Sequence, residues 1–210
     1  MARDYILHKV RTALGRSAGQ VPTEVPAARI IIPEMDLESR IQTFFSCIEK
    51  LSGKTYRASS AGDARAYVAQ LVEGKTAVAS NAPLLAECGI TGISGVSTGF
   101  RNEPELRDAC STAEFGITSA DYALADTGTL VMLSSVEEAR MISLLPPVHI
   151  AVVDKSKLLS GLDELFTTLP EPAERTSSMV LITGPSRTAD IEQILVRGVH
   201  GPGEIHVVLV

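Results

Sequence analysis

Thr55-Tyr-Arg-Ala-Ser-Ser-Ala-Gly-Asp-Ala-Arg-Ala-Tyr-Val-Ala-Gln-Leu-Val-Glu-Gly-Lys-Thr-Ala-Val-Ala79 is the stretch whose reading decides the fold class. Thr55–Ala58 reads as a short strand and Ala61–Val72 as a helix. The polar break Glu73-Gly74-Lys75 ends that helix, and Thr76–Ala79 reads as a second short strand. Pro83–Cys88 follows as a helical turn. Strands and helices alternating across short polar breaks argue for a mainly parallel sheet covered by helices, so the class is α/β.

Toward the N-terminus, Leu37, Ile41, Phe44, Phe45, Ile48 and Leu51 form an apolar stripe at helical spacing, followed by Gly53. They predict a core-packed helix over Met35–Leu51. Ile6, Val10 and Leu14 predict a further helix over Arg3–Leu14, and Gly15–Pro33, with Pro22 and Pro26, reads as a surface linker. The expected organisation is a helical arm and linker over residues 1–33 and an α/β domain over 34–210. Ile90–Pro104, rich in glycine, has no assignable element and is expected as a mobile loop.

Toward the C-terminus, Tyr122–Asp126 and Thr129–Leu133 flank Thr127-Gly128, the spacing of a two-residue hairpin loop. Ser134 or Ser135 is expected to cap a short helix containing Glu137 and Glu138. Pro146-Pro147 leads into the β-prone run Val148–Val153. A helix is expected at Leu158–Leu165, a strand at Met179–Thr183, a helix at Arg187–Val196 and a last strand at Glu204–Val210.

The chain has 210 residues, 45% hydrophobic and 21% charged, enough for one sizeable core and inconsistent with disorder or low complexity. A formal charge of −6 makes nucleic acid a poor default partner. No export signal and no run of roughly 20 apolar residues is visible, so the expectation is a cytoplasmic protein with no membrane span. Cys47, Cys88 and Cys110 are widely spaced and lack any C-x-x-C pairing, which gives neither a disulfide framework nor a metal set. No metal and no cofactor is expected to be held by this chain.

Two segments offer chemistry. Thr183-Gly-Pro-Ser-Arg-Thr-Ala-Asp-Ile-Glu192 reads as a strand, a Gly184-Pro185 turn and a helix start, whose free N–H groups would bind an anion. Ser186 or Thr188 would cap it, Arg187 would offer a planar fork, and Asp190 would hold Arg187 or favour the dipole. The same residues also read as a plain capped connection, because neither a Walker lysine nor a G-x-G-x-x-G spacing is present. At the hairpin tip, Asp126 is a candidate base, with Thr127, Gly128 and Thr129 as ligand contacts; a local Asx-type turn is the structural alternative. Asp121 and Asp126 lie an odd number of residues apart and would face opposite ways, which excludes a dyad. Among the histidines, His200 in Gly198-Val-His-Gly-Pro202 ranks above His149 as a catalytic candidate, while His8 and His206 read as surface or packing residues.

Taken together, Ala120-Asp-Tyr-Ala-Leu-Ala-Asp-Thr-Gly-Thr-Leu-Val131, Leu145-Pro-Pro-Val-His-Ile-Ala-Val152, Thr183–Glu192 and Gly198-Val-His-Gly-Pro202, in this order, closely resemble the LUD-domain family in its lactate-utilisation branch. The resemblance implies a three-layer α/β/α fold with a mainly parallel or mixed sheet, similar to the sugar-phosphate isomerase and CoA-transferase group. It also implies a part in oxidising L-lactate to pyruvate beside iron–sulfur subunits, whose cysteine motifs this chain lacks. The leading expectation is a non-redox subunit that binds a small anion or a partner cofactor. The alternative is a stand-alone enzyme acting on a phosphorylated or CoA-linked small molecule through Arg187 and the Gly184-Pro185 turn. Either way, the loops of Asp126, Arg187 and His200 are expected to converge on the ligand-binding rim of the sheet.

Overall fold

Two polar caps and a buried stripe set the first elements. Asp36 accepts from the Ser39 N–H at 2.9 Å and starts α2 (Leu37–Lys50), which buries Ile41, Phe44 and Ile48. Ser60 accepts from the Asp63 N–H and starts α3 (Ala61–Leu71), which buries Ala64 and Val68. These helices cover opposite faces of one sheet. The computed structural model of the chain describes residues 2–17, 19, 20, 35–191 and 194–210. The chain divides into two units, residues 1–31 and 32–210. The first contains α1 (Ala2–Ala13), in which Lys9 Nζ lies 5.3 Å from the centre of the Tyr5 ring. The expected linker falls outside the described residues except at 15–17, 19 and 20.

In the second unit the strands are β1 (Lys54–Arg57), β2 (Ala77–Ala79), β3 (Val96–Ser97), β4 (Phe115–Ser119), β5 (Tyr122–Leu124), β6 (Thr129–Leu133), β7 (Val148–Val153), β8 (Leu158–Leu159), β9 (Met179–Thr183), β10 (Arg187–Ile191), β11 (Ile194–Arg197) and β12 (Glu204–Leu209). The further helices are α4 (Pro83–Glu87), α5 (Glu103–Thr112), α6 (Leu162–Thr168) and α7 (Pro172–Arg175). The central sheet has order β1-β12-β7-β4-β2-β3 and every pairing in it is parallel.

Side-chain alternation sorts the core into two faces. Ala77, Ala79, Phe115, Ile117, Ile150, Val152 and Val208 pack with Ala64 and Val68 of α3 and Leu85 of α4. On the opposite face Ala151, Val153, Ile205, Val207 and Leu209 pack with Ile41, Phe44 and Ile48 of α2, while Val78 packs with Leu106 and Cys110 of α5. The α/β class and the mainly parallel sheet with helices on both sides are therefore as expected. A second sheet, order β8-β5-β6-β9, shares the α2 side. Leu130 and Met132 face the central core, and Val131 and Leu124 face Leu165 of α6.

Several local expectations are corrected. Arg187–Val196 is not a helix: β10 and β11 form an antiparallel hairpin, consistent with the β-branched residues Thr188, Ile191, Ile194 and Val196. Ile90–Pro104 is not simply a loop; it holds a 3-10 turn at Ile90–Gly92, β3 and the start of α5, capped by Asn102, whose side chain accepts from Glu105 N–H. The β5–β6 connection is Ala125–Gly128, because the register pairs Leu124 with Thr129, so Thr127-Gly128 is not a two-residue tip. Glu137 and Glu138 do not lie in a helix. Ser135 Oγ accepts from both their N–H groups in a tight turn, and a 3-10 turn follows at Arg140–Ser143. Leu158–Leu165 splits into β8 and α6 at Gly161.

The strap from Ser134 to Leu145 crosses the central sheet at Gly116, where a Cβ would fall onto the Ile142 carbonyl oxygen. Gly116→Ala is expected to cost about 3 kcal/mol or more, because two backbones must separate in a close-packed interior. Gly62→Ala, whose Cβ would meet nothing closer than Ser60 Oγ at 3.8 Å, is expected to be neutral or stabilising by up to about 1 kcal/mol. Chemical denaturation of both variants checks the contrast, and a mild Gly116→Ala would refute the close crossing.

Candidate functional site

A cavity of about 420 Å³ lies between β9 and the N-terminal ends of β7 and β12. Two loops are zipped together to form its wall. Ser186 N–H donates to Pro202 O at 2.8 Å, and Gly198 N–H donates to Ser186 O at 3.0 Å. Gly203 N–H in turn donates to Pro147 O, tying the second loop to the start of β7. Gly184 turns the first loop with φ +74°, and a side chain there would strike Leu51. This pairing is why Gly184, Pro185, Ser186, Arg187 and His200, far apart in sequence, line one space.

Arg140 and Ser143, on the 3-10 turn of the strap, and Leu144 just after it also line the cavity, none of them singled out by the sequence. Ser143 is held by its hydroxyl donating to Arg140 O at 3.0 Å. Arg140 and Arg187 are both exposed, and neither makes an ion pair among the described residues. Their guanidinium groups are free to take a carboxylate or phosphate.

His149 sits in the inner wall, 1% exposed. Its Nε2 shares a 2.7 Å hydrogen bond with Thr118 Oγ1, while Nδ1 is buried with no partner among the described residues. Burial pushes its pKa down to about 4, so the ring is neutral and offers a hydrogen-bonding nitrogen rather than a charge. Sequence reasoning ranked it below His200. The available signal was a lone imidazole within a strand buried on both faces, where a polar atom needs a partner.

A family profile for the LUD domain matches residues 41–210. The chain belongs to the LUD-domain family. Curated relatives of this LUD domain include lactate utilization protein C of Halalkalibacterium halodurans, 45% identical over 101 residues that make up 46% of this chain and 44% of the relative. The protein of the same name from Bacillus subtilis is 40% identical over 114 residues, 52% of this chain and 47% of that one. The chain thus spans about half the length of the curated relatives it matches. A crystal structure of a DUF162 family protein from Deinococcus radiodurans superposes with a TM-score of 0.64 at 17% identity, covering 84% of this chain and 99% of that one, which shows a common fold.

Not every expected site residue of the LUD domain reaches the cavity. Asp126, Thr127, Gly128, Thr129 and Thr188 do not line it. The side chain of Asp190 lies outside the described residues. With β10 in place of a helix, no helix N-terminus exists at Ser186, and the expected dipole and cap are absent. Asp126 accepts from Thr127 Oγ1 at 3.1 Å, and hydroxyl contacts of 2.8 Å run from Thr127 to Thr129 and on to Thr183 in the cavity wall. The β5–β6 tip is linked to the site through this threonine chain. Gly128, with φ +65°, is needed because a Cβ would strike Cys47 and Ile48 of α2.

The cavity also occupies the N-terminal ends of the parallel strands, not the C-terminal rim where open α/β sheets usually bind ligands. Cys88 and Cys110 are buried, and burial raises both thiols, that of Cys110 to about 11, so they pack as small apolar groups. Among the described residues no cluster of three or more His, Cys, Asp or Glu is placed to hold a metal ion, and no helix is long and apolar enough to cross a membrane.

The buried neutral His149 makes a pH prediction. The unfolded chain protonates it near its ordinary value of about 6.5, the folded protein only near 4, so its contribution is complete above pH 6.5 and lost as pH falls toward 4. The loss amounts to about 3 kcal/mol. Melting curves across that window should fall more steeply for the native protein than for His149→Gln. Parallel curves would contradict a neutral buried ring.

Proposed function

We propose that this LUD domain serves in lactate utilisation as a non-redox component, binding a small carboxylate in the Arg140–Arg187 cavity and assembling with iron–sulfur subunits that take the two electrons of lactate oxidation. The observation that carries this reading is the presence of two arginines, neither in an ion pair among the described residues, in the lining of one 420 Å³ space. That volume is at the small end of ligand sites and suits a molecule of lactate or pyruvate size. Neutral His149 and the hydroxyls of Ser143, Thr183 and Ser186 supply hydrogen-bonding groups beside the two charges. The names of the curated relatives supply the lactate context, and the spacing of the three cysteines supports a component without its own cluster.

Calorimetric titration of L-lactate and pyruvate tests the binding half. Arg187→Ala and Arg140→Ala should each weaken binding by about tenfold, the lower end for a charge-assisted contact because both side chains are exposed. Arg187→Lys should recover part of it, keeping the charge and losing the fork. Equal affinities in all four proteins would overturn the assignment. The assembly half is tested by lactate oxidation: iron–sulfur subunits should need this chain for turnover, and this chain alone, given an artificial electron acceptor, should be inactive. Turnover by the isolated chain would refute the non-redox reading.

A further inference from the structure

The C-terminal ends of the parallel strands carry a second hollow that the Arg140–Arg187 cavity does not include. Ser80 follows β2, Ser119 closes β4, Asp121 lies just beyond it and Asp154 follows β7. Two adjoining spaces of about 290 and 300 Å³ share Leu84, Ser119 and Asp121. The inner space reaches Glu138 and Glu137 of the strap, and the outer one reaches Lys157, Arg175, Asp154 and Glu87. This is the rim at which open α/β sheets usually bind ligands.

Glu138 is the decisive group. It is 6% exposed, and its Oε2 accepts from Ser80 Oγ at 2.7 Å and from Ser119 N–H at 3.0 Å. Its Oε1 is buried with no partner among the described residues. Burial raises the carboxyl pKa to about 8; the hydrogen bonds from Ser80 and Ser119 oppose the rise, and the charge of Asp121 adds to it. Near neutral pH the group is therefore largely the acid. With Oε2 already accepting two donors, the proton belongs on Oε1, which becomes an O–H donor in need of an acceptor.

The charges around it narrow what that acceptor belongs to. Asp121 accepts from Leu133 N–H at 2.7 Å; burial raises its pKa, and Arg175 and Lys157 oppose the rise. Lys157 Nζ lies 5.8 Å from the centre of the Tyr122 ring, and neither Lys157 nor Arg175 makes an ion pair among the described residues. Glu87, Glu137 and Asp154 add negative charge around the same space, which disfavours a dianion.

We infer that this hollow is a second binding site, for a small monoanionic organic acid with a further oxygen acceptor, the 2-oxo acids being the simplest, with Glu138 Oε1–H donating to that oxygen and Lys157 and Arg175 facing the carboxylate. Binding then requires the protonated form of Glu138. Ionisation removes the donor and places a second negative charge beside the ligand.

Pyruvate serves as the probe, titrated by calorimetry into a protein carrying Arg187→Ala; this weakens the first cavity and leaves in place Arg140, which shares a small gap with Glu138, so that failure of the two assignments can be told apart. Affinity should fall by about tenfold between pH 6.5 and 9, the change in the protonated fraction of a group titrating near 8. Adding Glu138→Gln, which keeps a donor and cannot ionise, should hold affinity at its pH 6.5 value across the range. Lys157→Ala with Arg175→Ala should weaken binding at every pH. Carbon-13 NMR of the Glu138 carboxyl in the otherwise native protein, which needs no variant to fold, should show titration near 8 and a further upward shift with pyruvate. Pyruvate that does not bind, affinity that is flat with pH before Glu138 is changed, pH dependence that survives Glu138→Gln, or phosphate bound more tightly than pyruvate would each overturn the proposal.

Discussion

The carbonyl of Ile142 rests against the backbone of Gly116, and the arrangement of both hollows depends on that contact. Any side chain at residue 116 would lift the strap off the sheet. The strap is also tied by Asn81 N–H donating to Glu137 O and by Ser134 N–H donating to Ser178 O. Drawn against the sheet in this way, one short segment delivers Glu138 to the C-terminal rim and Arg140, Ser143 and Leu144 to the N-terminal cavity. A single packing constraint near the start of β4 thus positions side chains at opposite ends of the strands.

The two hollows differ in how the protein treats burial. At the N-terminal cavity a buried imidazole is held neutral while two exposed guanidinium groups carry the charge, so the cost of desolvating a cation is avoided. At the C-terminal rim a carboxyl is buried and kept as the acid, with the exposed charges of Lys157 and Arg175 further out. A chain with net charge −6 gains nothing from its overall field in attracting anions, so each hollow must rely on the few cations near it.

What the sequence revealed follows from where burial imposes a period. The α2 stripe and Val148–Val153 were legible because one is buried along a helical face and the other on both faces of a sheet. Leu106 and Cys110 are the only fully buried residues of α5, which leaves too thin a stripe to recognise beside a glycine-rich approach. Arg187–Val196 misled because Gly-Pro-Ser reads locally as a helix start, whereas the pairing of Arg187 with Arg197 and of Thr188 with Val196 is a tertiary outcome. Arg187, Ser186 and His200, which line the cavity, were singled out through turns and flanking glycines. Arg140 and Glu138 were missed because their positions arise from the strap's path across the sheet, which no local spacing encodes, and His149 was ranked below His200 because its burial is a tertiary outcome.

The order of the central sheet bears on how the molecule assembles. Among the described residues β1 finds its sheet partner only in β12, with Lys54 opposite His206 and Leu209 opposite Arg57. β12 also completes β7 along its whole length. The interior of the sheet therefore stays open until β12 is made, and α2 has no finished surface to pack on before then. Closing so long a loop carries a large entropic toll before any contact rewards it, which favours slow, late and cooperative folding over stepwise growth from the ribosome.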